Sequence, residues 1–301
     1  MSRWADLLLM SALACAACSE KSAPPPPEAP SAAIVSPQPA PPSQSVAPPA
    51  SPTPAPPPKR EASAPRSPAL GRIGDPFVDR FAALDDARWT ISDGWSNADW
   101  MTSIFRREAV AIAPDGLALT AARETQDAAK PYAAGEIRSR GTFRYGYFEG
   151  RLKMPKGPGL VAGLFAYAPA GDGAFVQEID IEILGRDTRQ VELTLHMGSP
   201  AGLQTNTEIV RLPFDAADGF HTYAFDWRPE AIRFYVDGRL RRTVKKAAFA
   251  PPDRPLSLYV DLWPTERLVK WAGGVPQGPG PWPLTLSCVA YQASYKGKPV
   301  C

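Results

Sequence analysis

Residues 71–301 are predicted to form an all-β sandwich, on three observations. Apolar and polar residues alternate with a period of two in short runs, Gly, Pro, Asn and Asp turn signals separate the runs, and no stretch sustains a helical period. Strands of this kind bury one face and leave the other to solvent, so they pair as two sheets over a shared core.

Ahead of the folded part, residues 1–18 read as an export signal. Arg3 precedes the apolar run that opens at Leu7-Leu8-Leu9-Met10, and that run is shorter than the roughly 20 residues of a membrane span. Its ending resembles a bacterial lipoprotein signal, which selects Cys18 as the lipid-bearing residue, with Cys15 as the alternative. Residues 19–70 form a Pro/Ala/Ser-rich linker: half of the 36 prolines lie between Lys21 and Leu70, and such a segment makes a solvated tether, not a core. The expected location is the cell envelope, lipid-anchored to the outer membrane, with a periplasmic or secreted form as the alternative. That lipid is the only membrane contact expected, and the protein is expected to be a monomer.

The formal net charge of +2 gives no ground for a nucleic-acid partner. The basic cluster Arg239, Arg241, Arg242, Lys245 and Lys246 reads as a solvated hairpin face, with contact to anionic polymer or lipid headgroups as the alternative. Cys288 and Cys301 are the only cysteines of the folded part, and in an exported protein they predict a disulfide worth about 3 kcal/mol. Two thiols without a nearby histidine make a poor zinc set, so no metal site is assigned.

In chain order, Pro114-Asp115-Gly116 is a turn before the strand Leu117–Thr120. Gly135 to Arg140 leads into Phe143–Met154, where Phe148, Leu152 and Met154 share one face and Tyr147, Glu149, Arg151 and Lys153 the other. Val161–Tyr167 is an apolar run, and Pro169 to Gly173 is a loop. The next strand is Gln177-Glu178-Ile179-Asp180-Ile181-Glu182-Ile183, which sets three carboxylates on one face and three isoleucines on the other. Like charges this close resist simultaneous ionisation, so at least one acid should keep its proton near neutrality. A protonated acid beside an ionised carboxylate suits glycosidic bond cleavage. Taken alone, the strand also fits a solvated edge or a set of calcium ligands.

After Leu184–Asp187, a second strand puts Val191, Leu193, Leu195 and Met197 inward and Glu192, Thr194 and His196 outward. An antiparallel return would set His196 beside the carboxylates. Tyr223, Phe225 and Trp227 read as core, and Asp237-Gly238 is a strong hairpin signal. Leu256, Leu258, Val260 and Leu262 alternate with Ser257, Tyr259, Asp261 and Trp263, and Leu284 to Tyr295 is expected to close the fold as a strand pair. The mixture of aromatics, acids, amides and arginine on the polar faces suits a carbohydrate groove, because sugar rings stack on aromatics while their hydroxyls take polar partners. No phosphate loop or Ser-His-Asp spacing competes with it.

Several of these stretches resemble one family, glycoside hydrolase family 16, with the bacterial lichenase-like and laminarinase-like endo-β-glucanases nearest. The matching residues are Glu178-Ile179-Asp180-Ile181-Glu182 with Leu184-Gly185-Arg186-Asp187-Thr188, Tyr145–Glu149 with Arg151, and Gly219–Trp227 running to Tyr235-Val236-Asp237-Gly238. The resemblance implies a concanavalin A-like β-jelly roll of two curved antiparallel sheets, with an open cleft for a polysaccharide. It implies a retaining mechanism with Glu178 as nucleophile, Glu182 as general acid then base, and Asp180 tuning the pair. For substrate contacts it implies Trp95, Asn97, Glu149, Arg151, His196, Asp261, Trp263 and Trp271. No cofactor is required, and a structural calcium on the convex side is allowed. The sequence departs from the lichenase pattern at Val176-Gln177, at Asp261 where asparagine is usual, and at His196, which is closer to the laminarinase branch. The expected substrate is a β-1,3/β-1,4-glucan or a related polysaccharide. A transglycosylase or exopolysaccharide-processing glycanase is the nearest alternative, and a non-catalytic lectin-like binder is the alternative from another class.

Overall fold

The computed structural model describes residues 74–97, 100–124, 127–168, 175–199 and 202–301. The leader, the linker, Cys15, Cys18 and the loop expected at Pro169 to Gly173 lie outside the described residues. The strands run in chain order as β1 (Phe77–Asp79), β2 (Trp89–Ile91), β3 (Ser103–Phe105), β4 (Val110–Ala113), β5 (Gly116–Arg123), β6 (Tyr132–Ser139), β7 (Gly146–Lys153) and β8 (Leu160–Tyr167). They continue as β9 (Val176–Leu184), β10 (Gln190–Gly198), β11 (Gln204–Arg211), β12 (His221–Trp227), β13 (Ala231–Val236), β14 (Arg239–Lys245), β15 (Ser257–Pro264) and β16 (Trp282–Gln292). A four-residue helix, α1 (Val269–Ala272), interrupts them before β16.

Two antiparallel sheets result. The first has the order β2-β6-β15-β8-β9-β10-β11. The second runs β14-β13-β12-β7-β16-β5-β4, with β1 also on β16. Ala122 and Arg123 at the end of β5 pair with Ala133 and Tyr132 on β6, which joins the sheets at one edge. At another edge, Arg242 on β14 reaches across to the carbonyls of Leu193 on β10 and Asn206 on β11. That arginine is buried, unlike the solvated hairpin face expected of its cluster, because Nη1 finds two backbone carbonyls, Nη2 the Asn206 side-chain oxygen and Nε the Glu208 carboxylate.

The period-two pattern explains the core. Ile179, Ile181 and Ile183 of β9 lie with Val191, Leu193 and Leu195 of β10 on the inner face of the first sheet, all buried. Phe148 of β7, Phe225 and Trp227 of β12 and Phe234 of β13 meet them from the second sheet. Phe148 and Phe225 stack with ring centroids 4.8 Å apart. Each such side chain contributes about 1.5–3 kcal/mol on burial, so the inner faces hold the register of both sheets, and a one-residue slip of β9 would turn its acids into the core. The β13–β14 hairpin turns at Asp237 and Gly238, both with positive φ (48° and 70°), the conformation that an Asp-Gly pair tolerates.

The C-terminal segment differs from the expected strand pair. β16 is one eleven-residue strand, and beyond Gln292 the chain crosses the outer face of the second sheet. Tyr295 packs on Tyr147 and Tyr235, with centroids 4.9 and 4.4 Å away, and its hydroxyl donates to the Gly238 carbonyl. Cys288 and Cys301 are joined by a disulfide. Glu149 on β7, fully buried, accepts the backbone N–H groups of Val300 (3.0 Å) and Cys301 (2.6 Å) and the Tyr147 hydroxyl. These partners replace the ladder that a second strand would have supplied. Glu149→Ala is expected to lower the unfolding free energy by about 3 kcal/mol, because it orphans two part-buried backbone N–H groups and the buried Tyr147 hydroxyl. Urea denaturation checks this, and an unchanged midpoint would contradict the role.

Candidate active site

The outer face of the first sheet carries a cleft of about 600 Å³. Glu178, Asp180 and Glu182 project into it from β9, because their isoleucine neighbours are committed to the core. The strand register then sets the neighbours row by row. Glu178 lies between His196 on β10 and Tyr167 on β8, Asp180 between Thr194 and Phe165, and Glu182 between Glu192 and Gly163. Beyond β8, Phe165 is opposite Tyr259 on β15 and Gly163 is opposite Asp261, which in turn is opposite Glu136 on β6. Six carboxyl groups therefore share one face of five adjacent strands. Arg138 is the one Arg or Lys side chain among the described residues lining the cleft.

With so little compensating charge, burial dominates the proton affinities. Burial pushes the Glu178 carboxyl up to about 7, while a side-chain hydrogen bond with Asp180 opposes the shift. Asp180 is raised well above the usual carboxylate range by burial, then by the charges of Glu178 and Glu182. Glu182 is likewise raised by burial, then by Glu192 and Glu178. Asp261 is raised by burial and by Glu136 and Glu182, and Glu136 is pushed up to about 7 by burial. Glu178 and Glu182 thus differ in environment: Asp180 steadies the charged form of the first, whereas two neighbouring acids oppose ionisation of the second. The strand offers an ionisable carboxylate beside a carboxyl that holds its proton, a nucleophile and an acid.

His196 is buried, with Nδ1 2.8 Å from the Thr205 hydroxyl and Nε2 3.7 Å from Asp180 Oδ2. Burial lowers its pKa to about 4, so the imidazole is neutral at pH 7 and adds no counter-charge. Donor atoms of Glu178, Asp180 and His196 lie within 4.8 Å of one another. This grouping is in the cleft and not on the convex face, so it does not supply the structural calcium that the resemblance allows. Asp261 lies across β8, its Oδ1 accepting the Gly163 N–H at 2.9 Å. A Cβ on Gly163 would come within 2.7 Å of that oxygen, so the glycine makes the close approach of the carboxyl to β8 workable.

The walls are aromatic. Phe165 and Tyr259 stack at 4.8 Å, 12° from parallel, beside the acids. Trp263 packs against Trp100 (5.3 Å) and Trp271 (6.0 Å) at one end, and Trp95, 42% exposed, leans on Phe105 at the mouth near the exposed Asn97. Of the substrate contacts expected from the sequence, the structure brings Trp95, Asn97, His196, Asp261 and Trp263 to the cleft lining. Trp271 stands behind Trp263 and donates its indole N–H to Glu192 at 3.0 Å.

Glu149 and Arg151 are a correction. Both lie on the second sheet, facing away from the core on the side opposite the cleft; Glu149 holds the C-terminal segment, and Arg151 lies over the Phe220 ring and donates to Ser287. The groups of that kind in the cleft are Glu136 and Arg138 on β6. Both strands contain Glu-x-Arg with the same alternation, and alternation alone does not say which sheet a strand joins. Phe165 and Tyr167 were also missed, because β8 reads as a continuous apolar run.

The sequence pattern described as "Glycosyl hydrolases family 16" matches residues 97–277. The chain belongs to this family. It is 36% identical over 208 residues to a β-glucanase of Bacillus subtilis, an alignment covering 68% of this chain and 81% of that protein. It is 35% identical over 201 residues to a β-glucanase of Acetivibrio thermocellus, of whose length it spans 58% while 67% of this chain is covered. The solved β-glucanase of Bacillus licheniformis superposes with a TM-score of 0.65 at 32% identity, covering 73% of this chain and 99% of that one.

The raised acids make the cleft a cost to folding that grows with pH. A carboxyl with a raised folded pKa contributes stability that is full below its unfolded value and is lost as pH rises through its folded value. Asp261→Asn removes one such group. The variant's unfolding free energy is expected to gain on the native protein between about pH 4 and pH 8, by about 1.4 kcal/mol per unit of upward shift removed. Urea midpoints at the two ends of that range measure it, and a gain that shrinks as pH rises would contradict the assignment.

Proposed function

We propose that the protein is an endo-acting, retaining glycoside hydrolase that cleaves a β-1,3/β-1,4-glucan. The observation that carries this reading is the pair Glu178 and Glu182 on one strand of an open, aromatic-walled cleft, with Asp180 between them and unequal hold on their protons. The names of the relatives support the substrate class. Glu178 attacks the anomeric carbon as a carboxylate while the Glu182 carboxyl gives its proton to the leaving glycosidic oxygen. The bond that forms is a glycosyl ester, and the bond that breaks is the glycosidic C–O bond. Glu182, now a carboxylate, takes a proton from water, whose oxygen attacks the same carbon and frees Glu178. Asp180 hydrogen-bonds to Glu178 and steadies the charge there as the ester forms and breaks.

An open cleft accepts an internal stretch of polymer, so products should begin as a ladder of oligosaccharides and not as free glucose. Incubation with mixed-linkage β-glucan and with β-1,3-glucan, followed by product sizing, tests this. Glu178→Gln is expected to cut kcat by at least about 10⁴-fold with the fold intact, the scale of losing a nucleophile in a double displacement. Native-like activity in that variant would remove the assignment.

A further inference from the structure

Glu192 and Trp271 form a contact beside the cleft that the reaction above does not use. Glu192 on β10 is the direct cross-strand partner of Glu182, and its side chain is 6% exposed. Its Oε2 accepts the Trp271 indole N–H at 3.0 Å. Trp271 sits on α1 and packs on Trp263, which lines the cleft. One carboxyl thus touches a wall of the groove with one oxygen and stands next to the general acid on the neighbouring strand. Directly opposed residues of an antiparallel pair have Cα atoms about 4.5–5.5 Å apart, so the two side chains are neighbours by register alone.

We propose that Glu192 is a positioning residue for this reaction: its charge holds the proton on Glu182, and its hydrogen bond to Trp271 fixes the tryptophan wall. The proposal rests on the glycosidase reading of Glu182. Burial raises the proton affinity of Glu192, and the indole N–H and Arg186 work against that shift, each favouring the carboxylate form. The groups facing Glu182 can be named from every side. Its own strand supplies Asp180 and Glu178; β10 supplies Glu192, with Thr194 and His196 further along; β8 supplies Gly163, which does not titrate; β15 supplies Asp261, and β6 beyond it supplies Glu136. Among the charges acting on Glu182, that of Glu192 is the largest, ahead of Glu178. His196 is neutral, and Arg186 acts on the charge of Glu192.

The consequence is a link between the groove wall and the acid. A substrate that stacks on Trp263 presses on Trp271, whose N–H bond steadies the charge that keeps Glu182 protonated. The wall and the proton are then set by one residue.

The test uses the full chain labelled with ¹³C-carboxyl glutamate, the Glu182 resonance being assigned through Glu182→Gln. Glu192→Gln keeps an acceptor oxygen for the indole and removes the charge. The Glu182 midpoint is expected to fall by roughly one pH unit or more, as expected of a like charge at this range. The alkaline limb of kcat/KM should move by the same amount with KM at the optimum unchanged; an unchanged midpoint overturns the electrostatic half of the proposal. Glu192→Ala removes the acceptor as well, and should raise KM for a glucan oligosaccharide several-fold above that of Glu192→Gln. Equal KM values overturn the anchoring half. If Glu192→Ala does not fold, Trp271→Phe removes the same N–H and reads the same contact. Absence of glucan hydrolysis by the native protein would remove the glycosidase reading, whereas the Glu182 midpoint decides the electrostatic claim without any turnover.

Discussion

The constraint on which the rest depends is the repulsion among Glu136, Glu178, Asp180, Glu182, Glu192 and Asp261, six acids held on one sheet face with little counter-charge. In water such groups would ionise together near pH 4. Buried side by side they cannot, because each charge must be solvated by the cleft and must repel its neighbours. They therefore lose protons in sequence, and the order follows from what each acid touches. Glu178 has a hydrogen bond from Asp180; Glu182 has Glu192 opposite and, among the described residues, no compensating donor. Unequal neighbours on a single strand are what separate a base from an acid.

A surface so unfavourable to itself needs a rigid backing. The inner faces supply it: every acid of β9 alternates with an isoleucine packed against the second sheet, so relaxing the acids would mean exposing the core. The reverse side of the molecule shows the same residue type under the opposite rule. Glu149 is more deeply buried than Glu178, Asp180 or Glu182, yet two backbone N–H groups and a tyrosine hydroxyl satisfy it, and it works as a structural clasp. Burial of a glutamate does not by itself mark a site. What marks it is burial among like charges.

Much of this was legible in the sequence, because period-two alternation fixes which residues share a face. The core of β9, β10, β12 and β15 and the exposure of Glu178, Asp180, Glu182 and His196 to one side follow from that rule and from the register of an antiparallel turn. What alternation cannot give is the sheet to which a strand belongs. Glu136-Ile137-Arg138 and Glu149-Gly150-Arg151 look alike locally, and only the pairing of β6 with β15 and of β7 with β16 separates cleft from clasp. Phe165, which stacks on Tyr259, was hidden for a related reason: β8 is apolar on both faces, so nothing in its pattern signals that one face opens to a groove. Glu192 was visible as an outward residue, but its contact with Trp271 joins positions 79 residues apart through a short helix that has no sequence period.

The central claim is that Glu178, which ionises more readily than Glu182 on the same strand, is the acid that bonds to sugar. A 2-deoxy-2-fluoro β-glucan oligosaccharide with a good leaving group slows release of the glycosyl ester and lets it accumulate. Peptide mass spectrometry after such labelling should place the sugar on Glu178 alone. Label on Glu182, or stoichiometric turnover with no ester on either residue, would contradict the account.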